Sequence, residues 1–161
     1  MNAIDQGDVT YTIENGIATV QFYHPLSNSL PGKVLAKLAN TITALGSNND
    51  AVVIIVRSEG DRAFCAGASF DELVAIENLA KGTVFFSGFA NVINACRKCP
   101  KLIIGRVQGK AVGGGVGLAA AADYAIALDT VSPRITPINI YPNANMANKW
   151  SITIKVTDNL S

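Results

Sequence analysis

The sequence has little charge and no long apolar run, and each scarcity excludes a class of protein. Charged residues make up 16% of the 161 residues, the formal net charge is +1, and lysine and arginine form no dense run. Nucleic acid and membrane surfaces are therefore not expected as partners, because both attract concentrated positive charge. The apolar stretches at residues 52–56 and 111–122 are too short to span a bilayer.

Cysteine and histidine are also scarce. The chain has three cysteines, Cys65, Cys96 and Cys99, and His24 is its one histidine. An odd number of cysteines without framework spacing indicates a reducing compartment, so we expect a cytoplasmic protein. Cys96 and Cys99 form a C-x-x-C pair, but the further ligands that zinc needs are lacking. We therefore interpret the pair as packing residues at a helix end and expect no metal site. Cys65 has no evident base beside it and is interpreted as a packing residue.

The apolar pattern predicts an α/β fold. Residues 9–20 alternate as in a strand, and Asn15-Gly16 between the two halves predicts a hairpin. The remaining pattern predicts helices at residues 30–45, 70–80, 84–96 and 113–122, strands at residues 51–56, 102–107 and 124–128, and a loop at residues 57–69. The run at 51–56 is typical of a strand buried on both faces, and 113–122 of a buried helix. This alternation predicts parallel strands joined by right-handed crossovers.

The composition changes at about Asp129. Residues 130–161 are rich in Asn, Pro and Thr, show no helical period and have Asp158 as their one acidic side chain. Residues 150–154 have strand character, but no partner strand is identifiable for them. We therefore predict a core of residues 1–128 and an atypical tail of residues 129–161, loosely packed because it buries little apolar area.

Two glycine-containing segments carry the candidate chemistry. Residues 63–70 follow one predicted strand, and residues 109–117 follow another and enter a helix. Each segment places backbone N–H groups at a strand-to-helix junction, where the helix dipole favours negative charge. Two such donors directed at one point form an oxyanion hole. Either cluster alone is typical of a tight packing turn, but the two together in this order favour a function.

Three motifs give the chain a family resemblance. AFCAGASFDEL resembles the first oxyanion loop of the enoyl-CoA hydratase/isomerase (crotonase) family, VQGKAVGGGVGLAAAADY resembles the second, and HPLSNSL resembles the early turn that contacts coenzyme A. The likeness to this family covers roughly residues 9–128. It implies a crotonase-like spiral of repeated ββα turns, incomplete at the C-terminus. It also implies an acyl-CoA thioester as substrate, with no cofactor apart from the coenzyme A of that substrate.

The resemblance assigns roles to particular residues. It implies that the backbone N–H groups of Ala68 and Gly114 polarise the thioester carbonyl and stabilise an enolate. The positions that it implies for substrate binding are Leu26, Ala66, Gly67, Ser69 and Phe70. Gly117 stands where hydratases of the family carry their first catalytic glutamate. The segment expected to carry the second carboxylate, around residues 133–139, contains no glutamate.

These departures leave three hypotheses. The first is an enzyme of the enoyl-CoA hydratase or isomerase type in fatty acid metabolism. The second is a catalytically impaired acyl-CoA-binding remnant of a longer enzyme, whose tail arose by truncation or a shifted reading frame. The third is a nucleotide-binding α/β domain, although the glycine spacing at residues 113–117 does not match the dinucleotide fingerprint. The family resemblance also implies a homotrimer or hexamer, which this tail is expected to weaken.

Overall fold

The computed structural model describes residues 6–127, 134–142 and 150–157. The chain divides into two compact units, residues 1–128 and residues 129–161. No helix in the described ranges has both the length and the apolar character needed to cross a membrane.

Strands and helices alternate through the first unit. They are β1 (Asp8–Glu14), β2 (Ile17–Tyr23), β3 (Ser29–Leu30), α1 (Gly32–Gly46), β4 (Val53–Ser58), β5 (Ala63–Cys65), β6 (Gly67–Ala68), α2 (Phe70–Val74), α3 (Leu79–Lys98), β7 (Leu102–Val107), β8 (Lys110–Ala111), α4 (Gly114–Ala120) and β9 (Tyr124–Ala127). The α/β class predicted from the sequence is confirmed.

The predicted hairpin is confirmed at β1 and β2. The two strands are antiparallel, and Glu14 pairs with Ile17 across a two-residue turn. Both turn residues have positive φ, 51° at Asn15 and 82° at Gly16. Two successive positive φ angles match the right-handed twist of the strands, and asparagine followed by glycine adopts them at little cost.

A five-stranded sheet organises the unit, in the order β1-β2-β4-β7-β9. The pairs β2–β4, β4–β7 and β7–β9 are parallel. Because parallel strands end at one edge, the chain leaves β2, β4 and β7 on the same side of the sheet. Residues 24–28, 59–62 and 108–109 begin there, and the four short strands β3, β5, β6 and β8 belong to the same loop region.

The core lies on one face of this sheet. Val20, Phe22 and Ile54 are fully buried, and burial alternates along both β2 and β4. The expectation that residues 51–56 are buried on both faces is therefore wrong for one face, whose side chains are only half-buried. On the covered side α1 packs against α3 so closely that a Cβ on Gly88 would lie 2.8 Å from Leu35 Cδ1. Each large aliphatic side chain buried here contributes about 1.5–3 kcal/mol.

The loop and helix boundaries around the first glycine segment differ from those predicted. Residues 57–69 contain the end of β4 and the strands β5 and β6. The helix predicted over residues 70–80 ends at Val74, and α3 begins at Leu79. Asn78 starts the new helix, because its side chain accepts a hydrogen bond of 2.9 Å from the N–H of Lys81. A capping asparagine satisfies an N–H group that a continuous helix would have bonded internally.

The helix after the second glycine segment is less buried than predicted. Of its seven residues, only Gly115 and Leu118 are buried, and Val116 is 54% exposed. Small apolar residues indicate close packing on one side, but they do not show how much of the helix surface is covered.

The second unit contains a β-hairpin. β10 (Arg134–Pro142) and β11 (Trp150–Thr157) pair antiparallel, with a register shift between Pro137 and Asn139. The strand character of residues 150–154 is therefore confirmed, and β10 is the partner that the sequence did not identify. Prolines weaken the strand signal of β10, yet proline is tolerated on edge strands and at such irregularities. The expectation of loose packing at residues 130–133, 143–149 and 158–161 lies outside the described residues.

Candidate functional site

The first glycine segment is held by a short parallel strand pair. β6 pairs with β3 so that Gly67 faces Ser29 and Ala68 faces Leu30. The N–H of Ser69 donates to the carbonyl of Leu30 at 3.1 Å, and Ser29 Oγ donates to the carbonyl of Ala68 at 3.0 Å. The backbone of Ala68 is thus fixed relative to the turn that follows β2.

The second glycine segment is attached to the first. β8 pairs with β5, and the N–H of Val112 donates to the carbonyl of Cys65 at 2.9 Å. Gly113, with φ 53° and ψ −124°, then starts α4, and the N–H of Gly115 donates to the carbonyl of Val112 at 2.9 Å. The N–H of Gly114 makes no hydrogen bond within the described part of the chain. This is the free donor that the first turn of a helix leaves.

The two segments meet at Gly67. Its φ is +97°, and a Cβ built there would lie 3.2 Å from the carbonyl oxygen of Val112 and 4.0 Å from the backbone nitrogen of Gly114. A side chain would therefore be strained by the backbone angle and would press on the second segment. The residue before Ala68 thus lies beside the start of α4, so the sequence-predicted pair Ala68 and Gly114 lies in one region.

The packing around α4 explains why two consecutive glycines are needed there. A Cβ on Gly114 would lie 2.5 Å from Cγ and Cδ2 of Phe89 on α3. A Cβ on Gly115 would lie 2.7 Å from both Cβ and the carbonyl oxygen of Cys65 on the other side. These distances are shorter than any real carbon contact, so a larger residue at either position would displace the helix.

Gly117 faces α3. A Cβ built on it would lie 3.0 Å from Cδ1 and 3.9 Å from Cγ1 of Ile93. Only the flexible end of the isoleucine side chain is in the way, so a larger residue at position 117 requires Ile93 to move by a few tenths of an ångström. As glycine, the position offers no group that can transfer a proton.

The cysteines have the character of packing residues. Burial raises the pKa of the Cys65 thiol to about 11, and its Sγ lies 4.0 Å from the carbonyl oxygen of Gly67. Burial also raises the pKa of Cys96 to about 11. A nucleophile or metal ligand acts as the thiolate, which these surroundings disfavour. Within the described ranges, no group of three or more His, Cys, Asp and Glu side chains is placed to hold a metal ion.

Two of the predicted substrate-binding residues share a cavity of about 240 Å³. Its lining consists of Gln6, His24, Pro25, Leu26, Pro31, Ser69, Asp71 and Glu72. Leu26 and Ser69 are thereby brought together. Ala66, Gly67 and Phe70 are not part of this lining, and Phe70 is 70% exposed. The cavity lies between the turn after β2 and the start of α2, next to the strand pair that holds Ala68.

Sequence reasoning missed the polar side chains that fix these loops. Gln108 Nε2 donates to Ser58 Oγ at 2.7 Å and to the carbonyl of Gly60 at 3.0 Å. Glu72 Oε2 accepts from the N–H of Gly32 at 2.8 Å, at the start of α1. Asn28 contacts the same loop region from the turn after β2. Their partners are 31 to 50 residues away in sequence, so no local pattern could identify these contacts.

Solved structures share this architecture. An enoyl-CoA hydratase from Polaromonas sp. JS666 matches with a TM-score of 0.70 and 27% identity, over 75% of this chain and 48% of that one. An enoyl CoA hydratase/isomerase (crotonase) from Legionella pneumophila matches with a TM-score of 0.68 and 26% identity, over 75% and 48%. The protein is therefore of the crotonase-fold α/β class, as the motifs predicted.

The sequence identifies the family to which the protein belongs within this fold class. The family model described as enoyl-CoA hydratase/isomerase matches residues 12–151, and the chain belongs to this family. The match extends past residue 128, the predicted limit of the core. The nucleotide-binding alternative finds no support in this match.

The curated relatives are enzymes named for CoA thioesters. The (7aS)-7a-methyl-1,5-dioxo-2,3,5,6,7,7a-hexahydro-1H-indene-carboxyl-CoA hydrolase of Mycobacterium tuberculosis is 34% identical, over 72% of this chain and 47% of the relative. The mitochondrial methylglutaconyl-CoA hydratase of Mus musculus is 36% identical, over 62% and 32%. The chain spans about half the length of the first relative and about a third of the second.

Proposed function

We propose that this chain binds an acyl-CoA thioester and polarises its carbonyl between the backbone N–H groups of Ala68 and Gly114. The observation that carries the proposal is the contact of the two glycine segments at Gly67, where a Cβ would lie 4.0 Å from the nitrogen of Gly114. Family membership supports the substrate class, because the relatives are named for CoA thioesters.

The directions of the two N–H groups support the same conclusion. Successive N–H groups alternate along an extended strand, and the N–H of Ser69 points to Leu30 of β3. We infer that the N–H of Ala68 points away from β3. The N–H of Gly114 is the free donor at the start of α4 beside Gly67. Both donors are then available to one oxygen atom, with the partial positive charge of a helix start behind the second.

Such a pair stabilises the enolate that forms when a proton leaves the carbon next to the thioester. Removal of one donor from an oxyanion hole costs about 3 kcal/mol of transition-state stabilisation. The carbonyl group needs no metal or further cofactor for this polarisation, so the coenzyme A of the substrate is the one cofactor moiety proposed. Hydration and isomerisation both proceed through this charge distribution.

We propose that the coenzyme A portion of the substrate follows the turn after β2 and the loop at residues 66–70, on the side of Ala68 away from Gly114. Leu26 and Ser69 line the cavity of about 240 Å³ next to this residue. Ala66 and Gly67 are proposed to contribute backbone along this path, and Phe70, whose ring is 70% exposed, is proposed to border it. We propose the cytoplasm as the compartment and, as the assembly, the family's homotrimer or hexamer weakened by the tail of residues 129–161.

A second candidate function is binding without turnover, which Gly117 favours. It provides no carboxylate, and its Cα faces Ile93 of α3. Under this alternative the chain binds and polarises the thioester, but it moves protons too slowly to act as a hydratase.

One set of measurements tests both candidates. The binding of crotonyl-CoA and of free coenzyme A is compared by calorimetry, and the carbonyl band of [1-¹³C]crotonyl-CoA is recorded with and without protein. We expect tighter binding of the thioester and a shift of the band to lower frequency. An unchanged band in the bound state would overturn the oxyanion proposal. Hydration of crotonyl-CoA or isomerisation of 3-hexenoyl-CoA then supports the enzyme, and a shifted band without turnover supports the second candidate.

A further inference from the structure

A buried asparagine closes the turn that follows β2. Asn28 is 4% exposed and has a φ of +57°, a left-handed conformation that asparagine tolerates better than most residues. Its N–H donates to the carbonyl of His24 at 3.0 Å. Its Oδ1 accepts from the N–H of His24 at 2.9 Å. Backbone and side chain of Asn28 therefore both bond to the first residue of the turn.

The same side chain also holds the loop between β4 and β5. Nδ2 of Asn28 donates to the carbonyl of Glu59 at 3.0 Å and to the carbonyl of Ala63 at 2.9 Å. The carbonyl of Asn28 accepts from the N–H of Ala66 at 3.2 Å. Two donors and one acceptor at these positions require a carboxamide. An aspartate would instead place a carboxylate oxygen against two carbonyl oxygens in a buried site.

Asn28 is connected to Ala68 in two ways. It directly precedes β3, whose residues Ser29 and Leu30 pair with Gly67 and Ala68. It also bonds to Ala66, two residues before Ala68. The position of the Ala68 N–H therefore depends on where Asn28 holds the two chain segments.

The position of Gly114 also depends on contacts that Asn28 does not make. The N–H of Val112 bonds to the carbonyl of Cys65, and the ring of Phe89 packs against Gly114. A change at Asn28 therefore alters the separation of the two N–H groups without removing the contacts of the second.

We propose that Asn28 is a positioning residue that sets the place of the Ala68 N–H relative to that of Gly114. The role rests on the function proposed above and adds a side chain to a site otherwise made of backbone. It follows that substitution of Asn28 lowers the polarisation of the thioester carbonyl more than it lowers the affinity for coenzyme A.

Two variants and one control test this role. Asn28→Asp keeps the shape and removes both donors, whereas Asn28→Gly removes the side chain and accepts the positive φ without strain. Asn40→Asp makes the same chemical change at an exposed position of α1. Each protein is examined by circular dichroism, by calorimetry with free coenzyme A, and by the infrared carbonyl band of bound [1-¹³C]crotonyl-CoA.

The expected result is a band shift reduced to less than half in both Asn28 variants, with affinity for free coenzyme A within about threefold of the unchanged protein. Asn40→Asp keeps the full shift. A full band shift in a folded Asn28 variant would overturn the positioning role. Loss of the folded state in both variants would assign Asn28 to stability alone and would also overturn it. An unchanged band in the unsubstituted protein is a different result, because it rejects the oxyanion proposal itself.

Discussion

The ring of Phe89 occupies the space that a side chain at Gly114 would need. A Cβ at position 114 would lie 2.5 Å from two ring carbons of Phe89. The phenylalanine therefore fixes the side of Gly114 that faces α3. Position 114 is occupied by glycine because of this packing, independently of any role of its N–H group in chemistry.

The packing of Phe89 against Gly114 predicts that substitutions at the two positions have strongly coupled effects on the free energy of unfolding. Gly114→Ala is expected to destabilise the protein by about 1–3 kcal/mol, because overpacking forces the ring or α4 to shift. In the double variant Gly114→Ala/Phe89→Ala the added methyl group occupies freed space, so the two effects should not add. Urea unfolding of the two single variants and the double variant gives the coupling energy, expected to exceed 0.5 kcal/mol in favour of the double variant. Additive effects would contradict the packing argument.

Two glycines with positive φ allow the effect of backbone strain to be distinguished from the effect of contacts at the site. Gly67 has φ +97° beside Val112 and Gly114, whereas Gly60 has φ +87° and nothing within 4 Å of a built Cβ. Alanine at either position is expected to cost about 1–2 kcal/mol of stability through the left-handed angle. Only Gly67→Ala should also weaken the shift of the crotonyl-CoA carbonyl band. Equal band shifts in the two variants would show that Gly67 does not border the bound carbonyl.

A carboxylate at position 117 is expected to raise hydration. Gly117→Glu should increase the hydration rate of crotonyl-CoA from a low baseline by about tenfold. This is less than the 10²–10⁴ that positioned acid–base groups give, because residues 133–139 supply no glutamate as a second carboxylate. Ile93→Ala should raise the effect further by making room, since Ile93 Cδ1 lies 3.0 Å from a built Cβ.

Gly117→Gln is the matched control for this change, because it has the same size without a proton-transferring group. Equal hydration rates in the glutamate and glutamine variants, with unchanged substrate binding, would reject the assignment of position 117.

The buried thiols predict a loss of stability at alkaline pH. The pKa values of Cys65 and Cys96 are raised from 9.0 to about 11 by burial. Between these values the unfolded chain loses protons that the folded chain retains, so stability is full below pH 9 and falls as pH rises towards 11. The slope approaches about 1.4 kcal/mol per pH unit for each thiol. Urea unfolding from pH 8 to 11 should show this fall, reduced in Cys65→Ala and smallest in Cys65→Ala/Cys96→Ala. An unchanged slope in the double variant would contradict it.

Local sequence signals were enough to predict the strands of the five-stranded sheet and the helices between them. The turn at Asn15-Gly16 is specified by two residues, and β4 and β7 by runs of branched apolar side chains. The short pairs β3–β6 and β5–β8 have no such signal, because strands of two or three residues gain their partners from the rest of the fold. Asn28 shows the same limit, since its side chain bonds to residues 31 and 35 positions away.

The candidate site was predictable only as far as family motifs extend. They predict Ala68 and Gly114 as the donor pair, and the structure adds that Gly67 lies beside the second segment. The grouping of Leu26 with Ser69 depends on where the turn after β2 lies relative to α2, which no periodicity encodes. The exposure of the Phe70 side chain likewise could not be predicted from its place in the motif.

The strand order β1-β2-β4-β7-β9 is also the order in which a ribosome makes the strands. Each new strand of this sheet therefore finds its neighbour already synthesised, and none has to wait for a segment that is made later. Folding of the sheet can then advance together with translation, which proceeds at about 5–20 residues per second. The turn that contains Asn28 leaves the ribosome before Ala63 and Ala66 do, so it is ready to receive the first glycine segment when that segment emerges.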